Sequence, residues 1–233
     1  MVLGIVIVVA VVFSLSASTV FAQDMCVADF DYDTDVDGTD AAVFKADFDR
    51  DGYSNPCLPN GPAPVPQTGQ TTSYRTGDDG DLEKGVIWPY PRFTDNLDGT
   101  ITDNLTGLIW LKNANCFGTR TWNLALSDSN GLENGECELT DGSSPGDWRL
   151  PNKKELLSLL DDGYFGPALS NTAGTGHWSQ GDPFNNVQST YYWTSTTYAG
   201  NSIPAWDIDL GTGYVLSEGK NTFHYLWPVR GGH

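Results

Sequence analysis

Beyond about residue 90, the hydrophobic positions of this chain fall into short runs separated by turn residues. Residues 92–104 (RFTDNLDGTITDN) predict a β-hairpin with Asp98-Gly99 in its turn, and residues 108–111 (LIWL) predict a strand. Towards the C-terminus, four more strands are predicted, with a glycine-rich turn at 211–213 after the second: residues 191–195, 205–210, 214–216 and 225–230.

Two stretches carry helix signals. Thr121 can cap a helix through residues 122–126, and Asn152 with Glu155 forms a capping-box pattern at the start of residues 153–161. Leucines at positions 156, 157, 159 and 160 predict a buried face on this second helix. Two helices followed by several short antiparallel strands predict an α+β domain.

The chain begins with an apolar run at residues 2–13, and Val20-Phe21-Ala22 offers a small-residue cleavage site before Gln23. The run is shorter than the roughly 20 apolar residues that a spanning helix needs. Residues 1–22 are therefore predicted to be a signal peptide. We expect a bacterial protein that is secreted or held at the cell surface, with no membrane span in the mature chain.

Composition divides the remainder of the chain into three parts. Residues 58–70 (LPNGPAPVPQTGQ) carry four prolines and predict a semi-rigid linker. Residues 23–57 before it are strongly acidic, whereas residues 71–233 after it are rich in tryptophan, tyrosine and glycine. We therefore expect a small N-terminal module and a larger second domain.

The acidic module contains the spacing of a calcium loop. Calcium takes six to eight oxygens, and a loop of about 12 residues supplies them from positions 1, 3, 5, 7, 9 and 12. Carboxylates occupy the five side-chain positions, and a sixth lies where the backbone carbonyl coordinates: Asp29, Asp31, Asp33, Asp37 and Asp40, with Asp35 at the carbonyl position. The spacing predicts that calcium binds here and helps to fold the module.

The loop and the helix-like run at 41–48 resemble the calcium repeat of dockerins and related EF-hand-like modules. Two positions differ, because Thr34 replaces the usual glycine and Asp40 replaces the bidentate glutamate. A second acidic start ends early at Pro56 and is interpreted as a half-repeat that adds three candidate ligands: Asp47, Asp49 and Asp51. The alternative is a solvated acidic linker.

Four cysteines in an exported chain predict two disulfides, for which three pairings are possible. Cys26–Cys57 would close the calcium module, and Cys116–Cys137 would link a loop of the second domain. The formal net charge is −18, and residues 29–52 hold nine Asp against two basic residues. This excess of acid disfavours nucleic acid or an anionic membrane as a partner.

Four blocks of the second domain, in order, resemble the Lcl C-terminal domain family: residues 92–117, 147–161, 191–199 and 227–232. The lead-in from residue 68 is also similar to the start of that family. The resemblance implies a C-type-lectin-like fold, related to that of formylglycine-generating enzymes. It also implies extracellular ligand binding or adhesion rather than catalysis.

The resemblance draws attention to the C-terminal stretch for ligand-binding residues. The triplets with which C-type lectins bind sugar through calcium are absent at 180–183 and at 206–208. Sugar would instead stack on aromatic rings beside polar groups, and the candidates are Tyr198, Asn201, Trp206, Asp207, Asp209, Tyr214 and His224. Burial in the fold is the alternative interpretation for the strand tryptophans, Trp206 among them.

The leading hypothesis is therefore a secreted, calcium-binding, non-catalytic protein that recognises an extracellular glycan or a cell-surface protein. A second hypothesis is self-assembly, or a place in a larger surface structure. An extracellular glycan-processing enzyme is less favoured, since no block of sequence assigns two carboxylates to the roles that glycosidases require.

Overall fold

The computed structural model describes residues 65–231. The predicted signal peptide, calcium module and Cys26–Cys57 bridge lie outside the described residues. The described part is an α+β fold, as predicted. Its elements are α1 (Asp79–Leu82), β1 (Phe93–Asp95), β2 (Thr100–Asp103), β3 (Ile109–Leu111), β4 (Thr119–Arg120), α2 (Trp122–Gly131), α3 (Lys153–Leu157), β5 (Tyr191–Thr197), β6 (Pro204–Asp209), β7 (Val215–Gly219), β8 (His224–Tyr225) and β9 (Val229–Arg230).

The first sheet is antiparallel, with the strand order β1-β2-β3-β9. Its β1–β2 hairpin has the predicted turn, in which the Thr100 backbone N–H donates to Asp98 Oδ1 at 3.0 Å. Gly99 has a φ of +87°, and a Cβ there would lie 2.5 Å from the carbonyl oxygen of Glu138. Conformation and space both require glycine at this position. The predicted hairpin and the strand that follows it are confirmed.

The second sheet has the order β4-β8-β5-β6-β7, which places β7 at an edge. Its strands pair antiparallel, except that β5 and β8 run parallel. The β6–β7 turn is held by Asp209, which accepts hydrogen bonds from the Gly211 N–H and the Thr212 hydroxyl, both at 2.8 Å. The predicted strands at 191–195 and 205–210 are confirmed, and the third is shifted to 215–219.

The prediction of one strand over residues 225–230 is wrong. Residues 226–228 are not in a strand, and the two ends of this segment belong to different sheets. Pro228 has no N–H to donate to a ladder, and the indole of Trp227 instead donates to the carbonyl of Leu111 at 2.7 Å. The chain therefore crosses from the second sheet to the first within these three residues.

The predicted capping box is confirmed at the start of α3. Asn152 accepts the N–H groups of Lys154 and Glu155, and the Glu155 carboxylate accepts the Asn152 N–H. The helix nevertheless ends at Leu157, four residues earlier than predicted. After Leu157 the backbone forms hydrogen bonds between residues three apart, and the Asp161 N–H donates to the Ala168 carbonyl.

The helix α2 begins where it was predicted, after Thr121, although the Thr121 side chain makes no capping bond. The short helix α1 was not predicted. Three helices are therefore present in residues 65–231, where the sequence predicted two.

Aromatic rings dominate the main core. Trp227 contacts Trp110 and Phe184 edge-on, with ring centroids 5.7 and 4.8 Å apart. Cys116 and Cys137 form the predicted disulfide beside this core, with their Cα atoms 5.6 Å apart. A second, smaller cluster surrounds Trp193 on the other side of the second sheet.

A buried ion pair joins the first sheet to the segment after α3. The Arg92 guanidinium donates to both Asp103 carboxylate oxygens, at 2.9 and 3.2 Å, and to the Ser158 carbonyl at 2.7 Å. Both charged side chains are fully buried. Arg92 also lies over the ring of Trp88, 4.1 Å from its centroid.

Residues 65–70, in the predicted linker, bond to the rest of the domain. The Trp88 indole donates to the Gln67 carbonyl at 2.8 Å, and the Asp162 N–H donates to the Thr68 carbonyl at 2.9 Å. Pro66 forms a parallel bridge with Val86. This segment therefore packs along the domain as part of its structure.

Candidate functional site

The predicted ligand-binding residues do not form one site, because they lie on both faces of the second sheet. Successive residues of a strand point to opposite faces. Trp206 and, through the β5–β6 loop, Tyr198 lie on the face that α3 covers, whereas Asp207, Asp209 and His224 point to the other. Tyr214 and Asn201 lie in the two loops that flank β6. Each group is therefore described separately.

The first group is an aromatic face made by Tyr198, Trp206 and Lys153. The Tyr198 and Trp206 rings meet edge-on at 75°, with centroids 5.4 Å apart. The Lys153 ammonium lies 4.0 Å from the Trp206 ring centroid on a cation–π contact. Tyr198 retains 39% of its surface in solvent. In the aromatic face, the Tyr198 ring is therefore partly open to solvent and packs against the Trp206 ring.

Hydrogen bonds hold in place the backbone segments that carry the aromatic face. The Lys153 N–H donates to the Thr196 hydroxyl at 3.0 Å, which ties the start of α3 to β5. In the β5–β6 loop, Asn201 Oδ1 accepts the Ile203 N–H at 3.0 Å. Asn201 is exposed, and so is Ile203. Sequence reasoning missed Lys153 as a member of this face. Its position as the first residue of a capped helix was the feature of the sequence that could have indicated it.

Asp209 and Tyr214 have different roles from one another. Asp209 is 9% exposed, and the turn bonds described above occupy both of its carboxylate oxygens. Tyr214 follows that turn and is 66% exposed. The structure therefore gives Asp209 a role in the β6–β7 turn, and leaves Tyr214 as a free aromatic ring at its end.

The second group, which we call the buried polar cluster, places the buried Asp207 and His224 beside Glu218, whose side chain is 41% exposed. Asp207 is fully buried, and neither of its carboxylate oxygens has a hydrogen-bond partner. His224 is 7% exposed, and its Nε2 lies 3.7 Å from Glu218 Oε2. The imidazole packs against Trp193, with ring centroids 4.5 Å apart. The cluster therefore places three titratable groups on the face of the sheet opposite to α3.

Burial governs the protonation of this cluster. It raises the pKa of Asp207 to about 7, and repulsion from Glu218 and Asp209 acts in the same direction. Burial also lowers the pKa of His224, against the attraction of Glu218. Asp207 thus holds a proton up to neutral pH, yet its full burial keeps that proton out of reach of a bound molecule.

The third group is a cleft of about 160 Å³, which we call the tyrosine cleft. It lies between residues 69–74, which begin at the end of the predicted linker, and the chain that follows α3. Residues 69–72, Tyr74 and residues 162–164 line it. Tyr164 stacks on His177 with ring centroids 5.1 Å apart. Sequence reasoning missed this cleft, because its two walls are far apart in the chain.

Most residues of these three groups lie in a part of the chain that matches a known family. A family model described as the Lcl C-terminal domain matches residues 99–230, which is more than half of the chain. The chain belongs to the Lcl C-terminal domain family. Comparison with curated proteins finds no significant match.

The matched part of the Lcl C-terminal domain contains the aromatic face and the buried polar cluster entirely. It contains only one wall of the tyrosine cleft, residues 162–164, because residues 69–74 precede the match. The aromatic face therefore lies within the matched range, whereas the cleft also uses residues that precede it.

Two further findings apply to residues 65–231, the part of the chain that the structure describes. In this range, His, Cys, Asp and Glu side chains form no group of three or more that could hold a metal ion. No helix of the same range is long and apolar enough to cross a membrane.

Proposed function

We propose that this chain is a secreted, calcium-binding, non-catalytic protein whose Lcl C-terminal domain adopts a C-type-lectin-like fold and recognises an extracellular glycan or a surface protein. The observation that carries the binding proposal is the solvent-open Tyr198 ring of the aromatic face, held edge-on against Trp206. Sugars present apolar ring faces that stack on such side chains, and a ring with few rotatable bonds loses little entropy on binding.

The surroundings of Tyr198 support the same proposal. The β5–β6 pair is a rigid support, while the exposed loop beside it offers Asn201 as a neighbouring amide. Loops carried on rigid elements are where binding groups concentrate. Full burial of Asp207 supports the non-catalytic part, because a general acid must reach the atom to which it gives its proton.

Removal of the Tyr198 ring is expected to weaken retention on a glycan or cell-surface array about tenfold, since a central aromatic contact contributes roughly 1–2 kcal/mol. Tyr198→Ala is compared with Tyr198→Phe, which keeps the ring and should keep most of the binding. Phe165→Ala removes an aromatic ring that is 75% exposed elsewhere on the domain. Equal binding by all three variants would exclude the aromatic face as the contact surface.

For the N-terminal module, we propose that the acidic loop beginning at Asp29 binds calcium. The support is the ordered spacing of its carboxylates, which cannot gather without a counter-ion. Binding to the folded module alone stabilises it by about 2.7 kcal/mol at a calcium concentration 100 times the dissociation constant.

Calorimetric titration of the full chain is expected to show calcium uptake that Asp29→Asn/Asp31→Asn abolishes. The control is Glu133→Gln/Glu136→Gln, which removes the same charge from exposed positions of the second domain. A chelator should lower the first melting transition of the unchanged chain and of the control alike. Calcium uptake that survives in the Asp29/Asp31 variant would contradict this assignment of the site.

A further inference from the structure

The tyrosine cleft has the size of a small ligand and is already formed. Its volume of about 160 Å³ is similar to that of an engineered cavity of about 150 Å³ that accepts benzene. Three bonds fix its N-terminal wall: Trp88 to the Gln67 carbonyl, Asp162 to the Thr68 carbonyl, and the Thr68 hydroxyl to Asp79. A ligand would therefore meet a surface that needs little ordering.

Close approach of the two walls depends on a glycine. Gly69 has a φ of +88°, and a Cβ at this position would lie 2.3 Å from Asp161 Oδ1. The chain can pass directly over the Asp161 carboxylate only because no side chain intervenes. The backbone of the cleft wall is consequently held against an acidic patch of the domain.

The electrostatic environment of the cleft favours a cation. Asp162 lines the cleft with its side chain open to solvent, and partial desolvation of its carboxyl group together with the nearby Asp79 carboxylate raises its pKa. Asp161 lies behind the wall, fully enclosed. None of the lining residues is basic. A positive charge placed in the cleft would relieve the repulsion between these carboxylates, whereas an anion would add to it.

Two tyrosines, Tyr74 and Tyr164, complete the lining. Tyr74 is 81% exposed, and the stacking of Tyr164 on His177 fixes the plane of the second ring. Aromatic rings attract cations through their negative faces, and this attraction is the common basis of ammonium recognition in proteins. Rings and a carboxylate in one small cleft suit an ammonium group that carries some apolar surface.

We propose that the tyrosine cleft binds a small organic cation, namely a primary or quaternary ammonium group on a fragment no larger than a single ring. Asp162 supplies the counter-charge, and Tyr74 and Tyr164 contact the fragment. This site is independent of the aromatic face and does not rest on glycan recognition there. A neutral sugar is the competing occupant, which the charge of the cleft disfavours.

The experiment is a titration of the full chain by calorimetry with matched probes. Glucosamine and N-acetylglucosamine share a ring but differ in charge at neutral pH, and choline carries the charge without the sugar. We expect glucosamine and choline to bind at least about tenfold more tightly than N-acetylglucosamine. Equal binding of the two sugars would assign the cleft to neutral saccharides, and binding of none of the probes would overturn the proposal.

Variants locate the binding. Asp162→Asn is expected to weaken choline binding about tenfold, and Tyr74→Ala should weaken it several-fold. Their controls are Glu133→Gln, which removes an exposed carboxylate elsewhere, and Tyr90→Ala, which removes a ring of the same 81% exposure. Melting curves verify that each variant is folded. Choline binding that is unchanged in both cleft variants would place the cation elsewhere.

The pH dependence provides an independent readout. Binding needs Asp162 in its ionised form, so choline affinity should fall as acid protonates this carboxyl group, whose pKa is raised. The probe itself does not titrate. In Asp162→Asn the remaining pH dependence should be smaller, and an identical profile in both proteins would show that Asp162 is not the counter-charge.

Discussion

Replacement of Asp207 by asparagine is expected to stabilise the folded domain above pH 7 and to leave it nearly unchanged below pH 4. The pKa of Asp207 rises from 3.8 to about 7 in the folded state because the group is buried. Between these two values the unfolded chain releases its proton first, so stability falls as the pH rises. The full penalty, reached above pH 7, is about 4 kcal/mol at about 1.4 kcal/mol per pKa unit.

Asparagine has a similar shape and no proton to release, so this penalty disappears in the variant. His224 acts with the opposite sign, because its lowered pKa destabilises the fold as the pH falls below the ordinary histidine value. The fall of stability due to Asp207 should therefore be absent from the variant, whereas the contribution of His224 and that of Asp161, whose pKa burial raises to about 6, remain in both proteins.

Urea denaturation at pH 4, 6 and 8 measures these differences directly. Glu133→Gln serves as the control, since it removes one exposed carboxylate of the same domain and reports the effect of net charge alone. A gap between Asp207→Asn and the unchanged protein that stayed constant over the three pH values would refute the assignment of a raised pKa to Asp207.

Replacement of Arg92 by methionine is expected to cost about 3–5 kcal/mol of stability, because it leaves the Asp103 charge buried without a partner. Arg92 and Asp103 are both fully buried, and Arg92 also caps the Ser158 carbonyl. The loss should therefore affect the first sheet and the segment after α3 together. A raised urea sensitivity of the whole domain, in one transition, is the expected observation.

Lys112→Met provides a matched comparison, because Lys112 forms an ion pair with Asp95 at 2.6 Å in which both side chains remain about 30% exposed. Such a pair contributes about 0–1 kcal/mol. The double variant Arg92→Met/Asp103→Leu should recover part of the loss, since it removes both buried charges. Equal losses for Arg92→Met and Lys112→Met would mean that burial of the first pair carries no special penalty.

Sequence predicted those elements of the fold whose signals are local. The Asp98-Gly99 turn and the Asn152–Glu155 capping box each involve residues within a few positions of one another, and both are confirmed. The end of α3 and the break in the C-terminal segment were missed, because partners distant in the chain decide them. Ala168 accepts the Asp161 N–H, and Leu111 accepts the Trp227 indole.

The same distinction applies to the candidate sites. Strand alternation alone could have shown that Trp206 and Asp207 point in opposite directions, so they could not share a ligand. No local signal places Tyr74 and Tyr164 in one cleft, since this requires the segment before β1 to fold back along the domain. Nor does the sequence show that Glu218 approaches His224, because they lie on strands that do not pair with each other.

The crossing at residues 226–228 also links the folding of the two sheets. Strand β8 lies between β4 and β5 in the second sheet, and β9 pairs with β3 in the first sheet. These two short strands therefore complete both sheets. Pairing over such long separations in the chain is slow, because the loop between the strands must close before their contacts form. Neither sheet can therefore be complete until the segment around residues 226–228 is in place, which makes the folding of one sheet depend on the other.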